Sequence, residues 1–278
     1  MKALYITDLD GTFLNSDAQI SENSKKLISQ AINRGALFTV ATARTFATVM
    51  RMFSDIELKI PLVLMNGVML YDPESKRILS TKVVDCEALK EVFVAYRKHG
   101  IFPLIYRNKD SFLEIEYYNT DNQYQMKYVG KRADADGKRF VYSDKFDCEG
   151  KSEVIYIVTL DKYETLFPLY EDIKQITGIS AVFYSDNYTD CYFLEIFSAG
   201  VSKASAMLQV KKLIGAEKTV AFGDNMNDIE MFKYADESYA VDNACNELKG
   251  FATGVIGSNN DDAVAKKIYY DYLESLNG

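Results

Sequence analysis

At both ends of this chain, short apolar runs of strand length alternate with amphipathic helical stretches, and the middle breaks the pattern. "ALYIT" (3–7) reads as a buried strand and "SENSKKLISQAINRG" (21–35) as a helix, with Ser21 as N-cap and Gly35 just past its end. "ALFTVATAR" (36–44) is the next strand, "FATVMRMFSDI" (46–56) an amphipathic helix, and "PLVLMNGVMLYD" (61–72) a strand entering a hairpin at "DPESKR". Near the C-terminus the alternation resumes with a helix at 202–215, a strand "TVAFGD" (219–224), a helix at 228–236, a strand "SYAV" (238–241) and a terminal helix at 261–273. Such alternation predicts a parallel sheet with helices on both faces, whose functional residues gather at the carboxyl ends of the strands.

Between these parts, two helical stretches, "CEALKEVFVAYRKHG" and "KYETLFPLYEDIKQITG", are outnumbered by Tyr- and Phe-rich strand patterns. That composition predicts an α+β module with an antiparallel sheet, inserted into the α/β core. We place the core at 1–82 and 191–278 and the inserted domain at 83–190. Two domains also suit a length of 278 residues.

The stretch "YITDLDGTFL" (5–14) ends an apolar strand on two carboxylates, Asp8 and Asp10, followed by Gly11. Alternate strand residues share a side, so the two can face one point, and Gly11 permits a sharp turn there. Read alone, the pattern is equally an ordinary Asp/Gly turn. A second acidic strand end alters the balance: "VAFGDNMNDIEM" places Asp224, Asn225, Asn227 and Asp228 after another apolar strand, where they are also good helix caps. Two such ends in one parallel sheet make an oxygen-rich cluster suited to a hard cation such as Mg2+ together with a substrate phosphate. "VATART" ends a strand on Thr42, and "VSKASAM" puts Lys203 at a helix start, giving a hydroxyl donor and a fixed positive charge for phosphate oxygens. Each is commonplace singly; their order is not.

These residues, "DLDGTFL" (8–14), "TAR" (42–44), "NG" (66–67), "SK" (202–203) and "GDNMNDIEM" (223–231), resemble the motifs of the haloacid dehalogenase superfamily, in particular its Cof-like phosphatases. The resemblance implies a Rossmann-like parallel-sheet core with an inserted α+β cap of the subclass IIB type. It implies Mg2+-dependent hydrolysis of a small phosphorylated metabolite, a sugar phosphate for preference, through an aspartyl-phosphate. Asp8 would be the nucleophile and Asp10 the general acid and base. Asp8, the Asp10 backbone carbonyl, Asp224 and Asp228 would hold the metal, while Thr42, Lys203 and Asn227 would hold phosphoryl oxygens. Asn66 and Gly67 would add a contact near the mouth, although a type I′ turn calls for the same dipeptide. Ala43 and Ala263 stand where relatives usually carry glycine. A sugar phosphomutase shares this chemistry. A phospho-acceptor signalling domain shares the aspartate pocket but is far shorter and lacks the residue at Asp10.

Other features exclude alternatives. The formal net charge of −8 opposes general nucleic-acid binding. Cys86, Cys148, Cys191 and Cys245 form no C-x-x-C pair, and reduced thiols are expected. Asp8 comes too early to leave room for a signal peptide, and no apolar run spans a bilayer, so a soluble cytoplasmic protein is expected, with a monomer admissible. The sole histidine, His99, ends a predicted helix, which favours a dipole contact or a surface role over catalysis. "ADADGKR" (133–139) imitates the first motif without a preceding strand and reads as a solvated loop, and "SNNDDA" (258–263) does not fit an EF-hand. Within the inserted domain, Tyr117, Tyr118, Asp186 and Asn187 are the candidates for substrate contact.

Overall fold

The computed structural model describes residues 2–109, 112–118, 120–130, 137–146, 153–186 and 189–277. In chain order the elements are β1 (Ala3–Thr7), α1 (Glu22–Asn33), β2 (Leu37–Val40), α2 (Phe46–Met52), β3 (Leu62–Leu64), β4 (Met69–Asp72) and β5 (Arg77–Thr81). Then come α3 (Cys86–His99), β6 (Leu104–Lys109), β7 (Phe112–Tyr118), α4 (Gln123–Gly130), β8 (Lys138–Ser143), β9 (Val154–Asp161), α5 (Tyr163–Ile173), β10 (Ile179–Ser185) and β11 (Tyr192–Ser198). The chain closes with α6 (Lys203–Ile214), β12 (Lys218–Gly223), α7 (Ile229–Tyr234), β13 (Glu237–Ala240), α8 (Asn246–Lys249), β14 (Gly254–Val255) and α9 (Ala263–Asn277). Contacts divide it into two units, 1–80 with 202–278, and 81–201.

The first unit is built on a parallel sheet in the order β14-β13-β12-β1-β2, extended toward β3 by a bridge between Ala41 and Val63. β1 and β12 are buried along nearly their whole length, as strands covered on both faces must be. The chain leaves β1 toward β2 on one side and returns as β12 on the other, so the strand order reverses between β1 and β12. That reversal opens the crevice in which sheets of this kind bind ligands, and Asp8 and Asp224 are the residues that follow these two strands. Beneath the turn after β1, Phe13 stacks on Phe53 at 5.9 Å and tilts against Phe38 at 5.7 Å. Burying such a ring is worth about 2–3 kcal/mol and anchors the turn to the core.

The second unit has a sheet in the order β10-β11-β9-β6-β7-β8, with α3 and α5 packed through Leu89, Phe93, Leu166 and Leu169 against Ile157, Leu194 and Ile196. Two expectations change here. β11 pairs with both β9 and β10, so the second boundary falls after residue 201 rather than at 190/191: the alternating apolar face of 192–198 belongs to this sheet. Nor is the sheet wholly antiparallel, since β7 and β8 run parallel. A parallel pair needs a crossover, and α4 supplies it.

Candidate active site

After β1 the chain makes one wide helical turn, Leu9–Phe13, closed by the Leu14 N–H donating to the Leu9 carbonyl at 2.9 Å. Gly11 has φ 78°, and a Cβ there would lie 2.3 Å from Asp224 Oδ2, so both the backbone and the space demand glycine. Next to it the Thr12 hydroxyl donates to Asp224 Oδ1 at 2.7 Å. The turn after β1 is thus moulded on the carboxylate that follows β12.

Asp8, Asp224 and Asp228 offer carboxylate oxygens that all lie within 4.8 Å of one another. Lys203 is the first residue of α6, where Ser202 caps the helix and exchanges bonds with Ser205. Its ammonium reaches Asp8 Oδ1 and Asp228 Oδ1, each at 2.8 Å, and the side chain is 1% exposed. Asp228 is fully buried and accepts backbone N–H groups of Asp224 (3.1 Å) and Asn225 (3.3 Å) as well. Asp8 and Asp228 therefore share one ammonium, with the Asp224 carboxylate beside them. Burial pushes the Asp8 carboxyl well above its usual range, and nearby Asp228 and Asp224 add to this against the pull of Lys203. Burial, followed by the charge of Asp228, pushes Asp224 up to about 7. For Lys203, burial alone would lower the pKa, but Asp228 and Asp8 outweigh it and raise it.

Asp10 stands apart from this triad. Its carboxylate accepts both arms of the Arg44 guanidinium, Nε at 2.7 Å and Nη2 at 2.5 Å, a bidentate pair that fixes its direction. Arg44 and Thr12 both lie inside motifs visible in the sequence, yet neither has a role there; what marks them is a partner reached only across the sheet. Thr42 is buried two residues beyond β2, and its hydroxyl accepts the Arg44 N–H at 3.1 Å. Asn66 (φ 56°) and Gly67 (φ 97°) are the central pair of a turn closed by Val68 N–H to the Met65 carbonyl, the type I′ signature joining β3 to β4. The turn reading therefore holds, and the same turn also meets the site. The Asn66 N–H donates to the Thr42 carbonyl at 3.0 Å, and a Cβ on Gly67 would lie 2.3 Å from the Ser202 carbonyl oxygen. Asn227 Oδ1 is buried without a hydrogen-bond partner among the described residues.

The decoys resolve simply. His99 Nε2 meets Asp172 at 2.7 Å. Of "ADADGKR", residues 133–136 lie outside the described residues, while Lys138 and Arg139 open β8 instead of continuing a loop. Tyr118 is buried in the core of the second unit and donates to Glu116, which removes it from the candidates for substrate contact. Tyr117 packs against Phe140 and Tyr142, Asp186 accepts the Thr189 hydroxyl at 2.6 Å, and Asn187 lies outside the described residues. Cys86, Cys191 and Cys245 are free thiols, and Cys148 lies outside the described residues.

A parallel sheet with a carboxylate triad and a lysine at its carboxyl edge, and an α+β module inserted in the chain, define the class: an α/β fold with an acidic site at its ligand-binding crevice. The chain belongs to the haloacid dehalogenase-like hydrolases, whose family profile matches residues 5–268, and within them it is a Cof-like phosphatase. It is 27% identical to the 5-amino-6-(5-phospho-D-ribitylamino)uracil phosphatase YwtE of Bacillus subtilis, over 95% of this chain and 96% of that protein. It is 26% identical to a putative phosphatase of Buchnera aphidicola, over 99% and 97%. Among solved structures, a haloacid dehalogenase-like hydrolase from Bacteroides thetaiotaomicron superposes with a TM-score of 0.80 at 24% identity, covering 98% of this chain and all of that one. A subclass IIB sugar phosphatase superposes with a TM-score of 0.74 at 19% identity, covering 98% and 99%.

Proposed function

We propose that this protein is a Mg2+-dependent phosphatase that hydrolyses the monoester of a small polyhydroxylated metabolite, a sugar phosphate for preference, through an aspartyl-phosphate on Asp8. The observation that carries the reading is the buried cluster itself, in which the carboxylates of Asp8, Asp224 and Asp228 converge and the Lys203 ammonium pairs with Asp8 and Asp228. That donor set fits a hard divalent cation: three carboxylates against one lysine leave an excess of buried negative charge, and the pKa of Asp224 is raised to about 7 by burial first and by the charge of Asp228 second. The carboxylates of Asp8 and Asp224 and the Asp10 backbone carbonyl would hold the ion, with Asp228 as a further ligand or as the anchor of Lys203. Bound there, Mg2+ supplies polarisation of the phosphoryl oxygens and neutralises developing charge.

In the first step an Asp8 oxygen attacks phosphorus and the ester P–O bond breaks, while the leaving alkoxide takes a proton from Asp10. In the second, a water oxygen attacks phosphorus as Asp10 takes its proton, the bond to Asp8 breaks and inorganic phosphate leaves. Arg44 offers donors only, so one arm of its pair with Asp10 has to open when that oxygen carries the proton. Lys203, the Thr42 hydroxyl and Asn227 hold phosphoryl oxygens, and the Asn66–Gly67 turn buttresses Thr42 and the start of α6. The substrate class draws on two relatives, one named for a phosphorylated ribitylamino compound and one for sugar phosphates. The net charge of −8 and the lack of any described helix long and apolar enough to cross a membrane favour a soluble small substrate in the cytoplasm.

The test is phosphate release from a panel of sugar phosphates, nucleotides and p-nitrophenyl phosphate, with and without Mg2+. Turnover should require the metal, and Asp8→Asn should lower it by at least roughly 10³-fold. Metal-independent turnover, or an active Asp8→Asn protein, would overturn the reading. An isomeric sugar phosphate accumulating in place of free phosphate would indicate a mutase.

A further inference from the structure

We infer that Asn243 and Asn259 are positioning residues for the reaction, holding the turn that carries Asp8 and Asp10 in register with Asp224. The inference rests on the phosphatase reading above. Asn243 follows β13, and its Nδ2 donates to the Gly11 carbonyl at 2.7 Å. Its Oδ1 accepts the Asn259 N–H at 3.0 Å. Asn259 is buried, and its Nδ2 donates to the Leu14 carbonyl at 2.8 Å. The two asparagines thus clasp the turn at its middle and at its exit, from a segment more than two hundred residues away in sequence.

The clasp bears on the chemistry through Gly11. Its carbonyl lies between the residue proposed as acid and base, Asp10, and Thr12, whose hydroxyl holds Asp224 at 2.7 Å. With φ 78° and no side chain, Gly11 is also the most pliable link of the turn, and it sits directly on Asp224. Without the Asn243 bond, that peptide is free to tilt, carrying Asp10 and Thr12 with it. An exposed asparagine thereby acquires a purpose its surroundings alone do not suggest, and "SNNDDA", which matches no cation loop, acquires one as well. The side chain of the neighbouring Asn260 bonds, among the described residues, only with Ser16, beyond the turn, and serves as a built-in control.

The experiment compares Asn243→Ala, Asn243→Asp, Asn259→Ala and Asn260→Ala with the native protein on p-nitrophenyl phosphate and glycerol phosphate. Asn243 is exposed, so both of its variants should fold with an unchanged Tm. Misplacing a reacting group by about 1 Å costs roughly 10²-fold, so kcat should fall roughly 10- to 100-fold with KM within about twofold. The loss should be greater on glycerol phosphate, whose leaving alkoxide needs the Asp10 proton, and Asn243→Asp, isosteric but without the donor, should be no better than the alanine variant. Asn260→Ala should retain native kcat. Native kcat in both Asn243 variants, or an equal loss in Asn260→Ala, overturns the inference. If the native protein turns over neither these probes nor any member of the sugar phosphate and nucleotide panel, the phosphatase reading fails instead. The rise of Tm on adding Mg2+ then decides for the clasp: a rise as large in Asn243→Ala as in the native protein overturns it, and a smaller one supports it.

Discussion

Lys203 carries more of this site than any other single residue. Its ammonium lies 2.8 Å from both Asp8 and Asp228, and all three groups are buried. Removing one partner of a buried ion pair leaves an uncompensated charge, at a cost of roughly 3–5 kcal/mol. Lys203→Ala should therefore lower the free energy of unfolding by that amount at pH 8. At pH 5 the deficit should be smaller, because the stranded Asp8 carboxyl, already raised by burial, can hold a proton; urea titrations at the two pH values measure the difference, and turnover should be lost at both. Lys203, Asp8 and Asp224 were legible from the sequence, because each falls at a strand end or helix start whose place in a parallel sheet follows from the pattern alone. The pairing of Arg44 with Asp10 was not. A strand end supplies the position of an arginine but not which of several nearby carboxylates its long side chain will meet.

Elements show the same division between local and tertiary information. The start of α6 was readable because "SK" followed by an apolar helical period carries its own cap: the Ser202 hydroxyl accepts the Ser205 N–H at 3.2 Å, and the Ser205 hydroxyl accepts the Ser202 N–H at 3.0 Å. Ser202→Ala should cost about 1 kcal/mol and lower Tm by roughly 2–4 °C in a chain of this size, which differential scanning calorimetry resolves. A loss below about 0.3 kcal/mol would mean that the packing of Gly67 on the Ser202 carbonyl, rather than the cap, fixes this helix start. By contrast α4 left no trace in the pattern: of its residues only Gln125 and Val129 are buried, a single i, i+4 pair without an apolar stripe. The element that makes β7 and β8 parallel was therefore invisible, and with it the departure from an antiparallel sheet. β11 was legible as a strand, but nothing in 191–198 states which sheet it joins. Partner choice is a property of register and burial elsewhere in the chain.

For the molecule as a whole, the carboxylate cluster makes stability, pH and metal one linked problem. Asp224 is raised to about 7 from an ordinary value of 3.8, chiefly by burial, and Asp8 is raised as well. In the unfolded chain these carboxyls lose their protons near pH 4, whereas the native metal-free protein keeps them to higher pH. Between those values the native state binds more protons than the unfolded one, so metal-free stability falls as pH rises from about 4 toward 7 and stays low above it. A divalent cation competes for the same oxygens. Below pH 7 it has to displace the proton from Asp224, and above pH 7 it does not, so its stabilising effect should grow with pH. At a Mg2+ concentration one hundred times its dissociation constant the gain is about 2.7 kcal/mol, or roughly 5–10 °C in Tm. Thermal denaturation with EDTA and with Mg2+ at half-unit steps from pH 5 to 8 should show the two curves diverging as pH increases. Parallel curves would mean that the ion binds away from Asp224, and converging ones that the cluster is held by protons and Lys203 alone. The divergence should shrink in Asp224→Asn, which keeps the shape of the side chain and the bond from Thr12 while removing one of the charges, with Asp8, that both proton and metal contest.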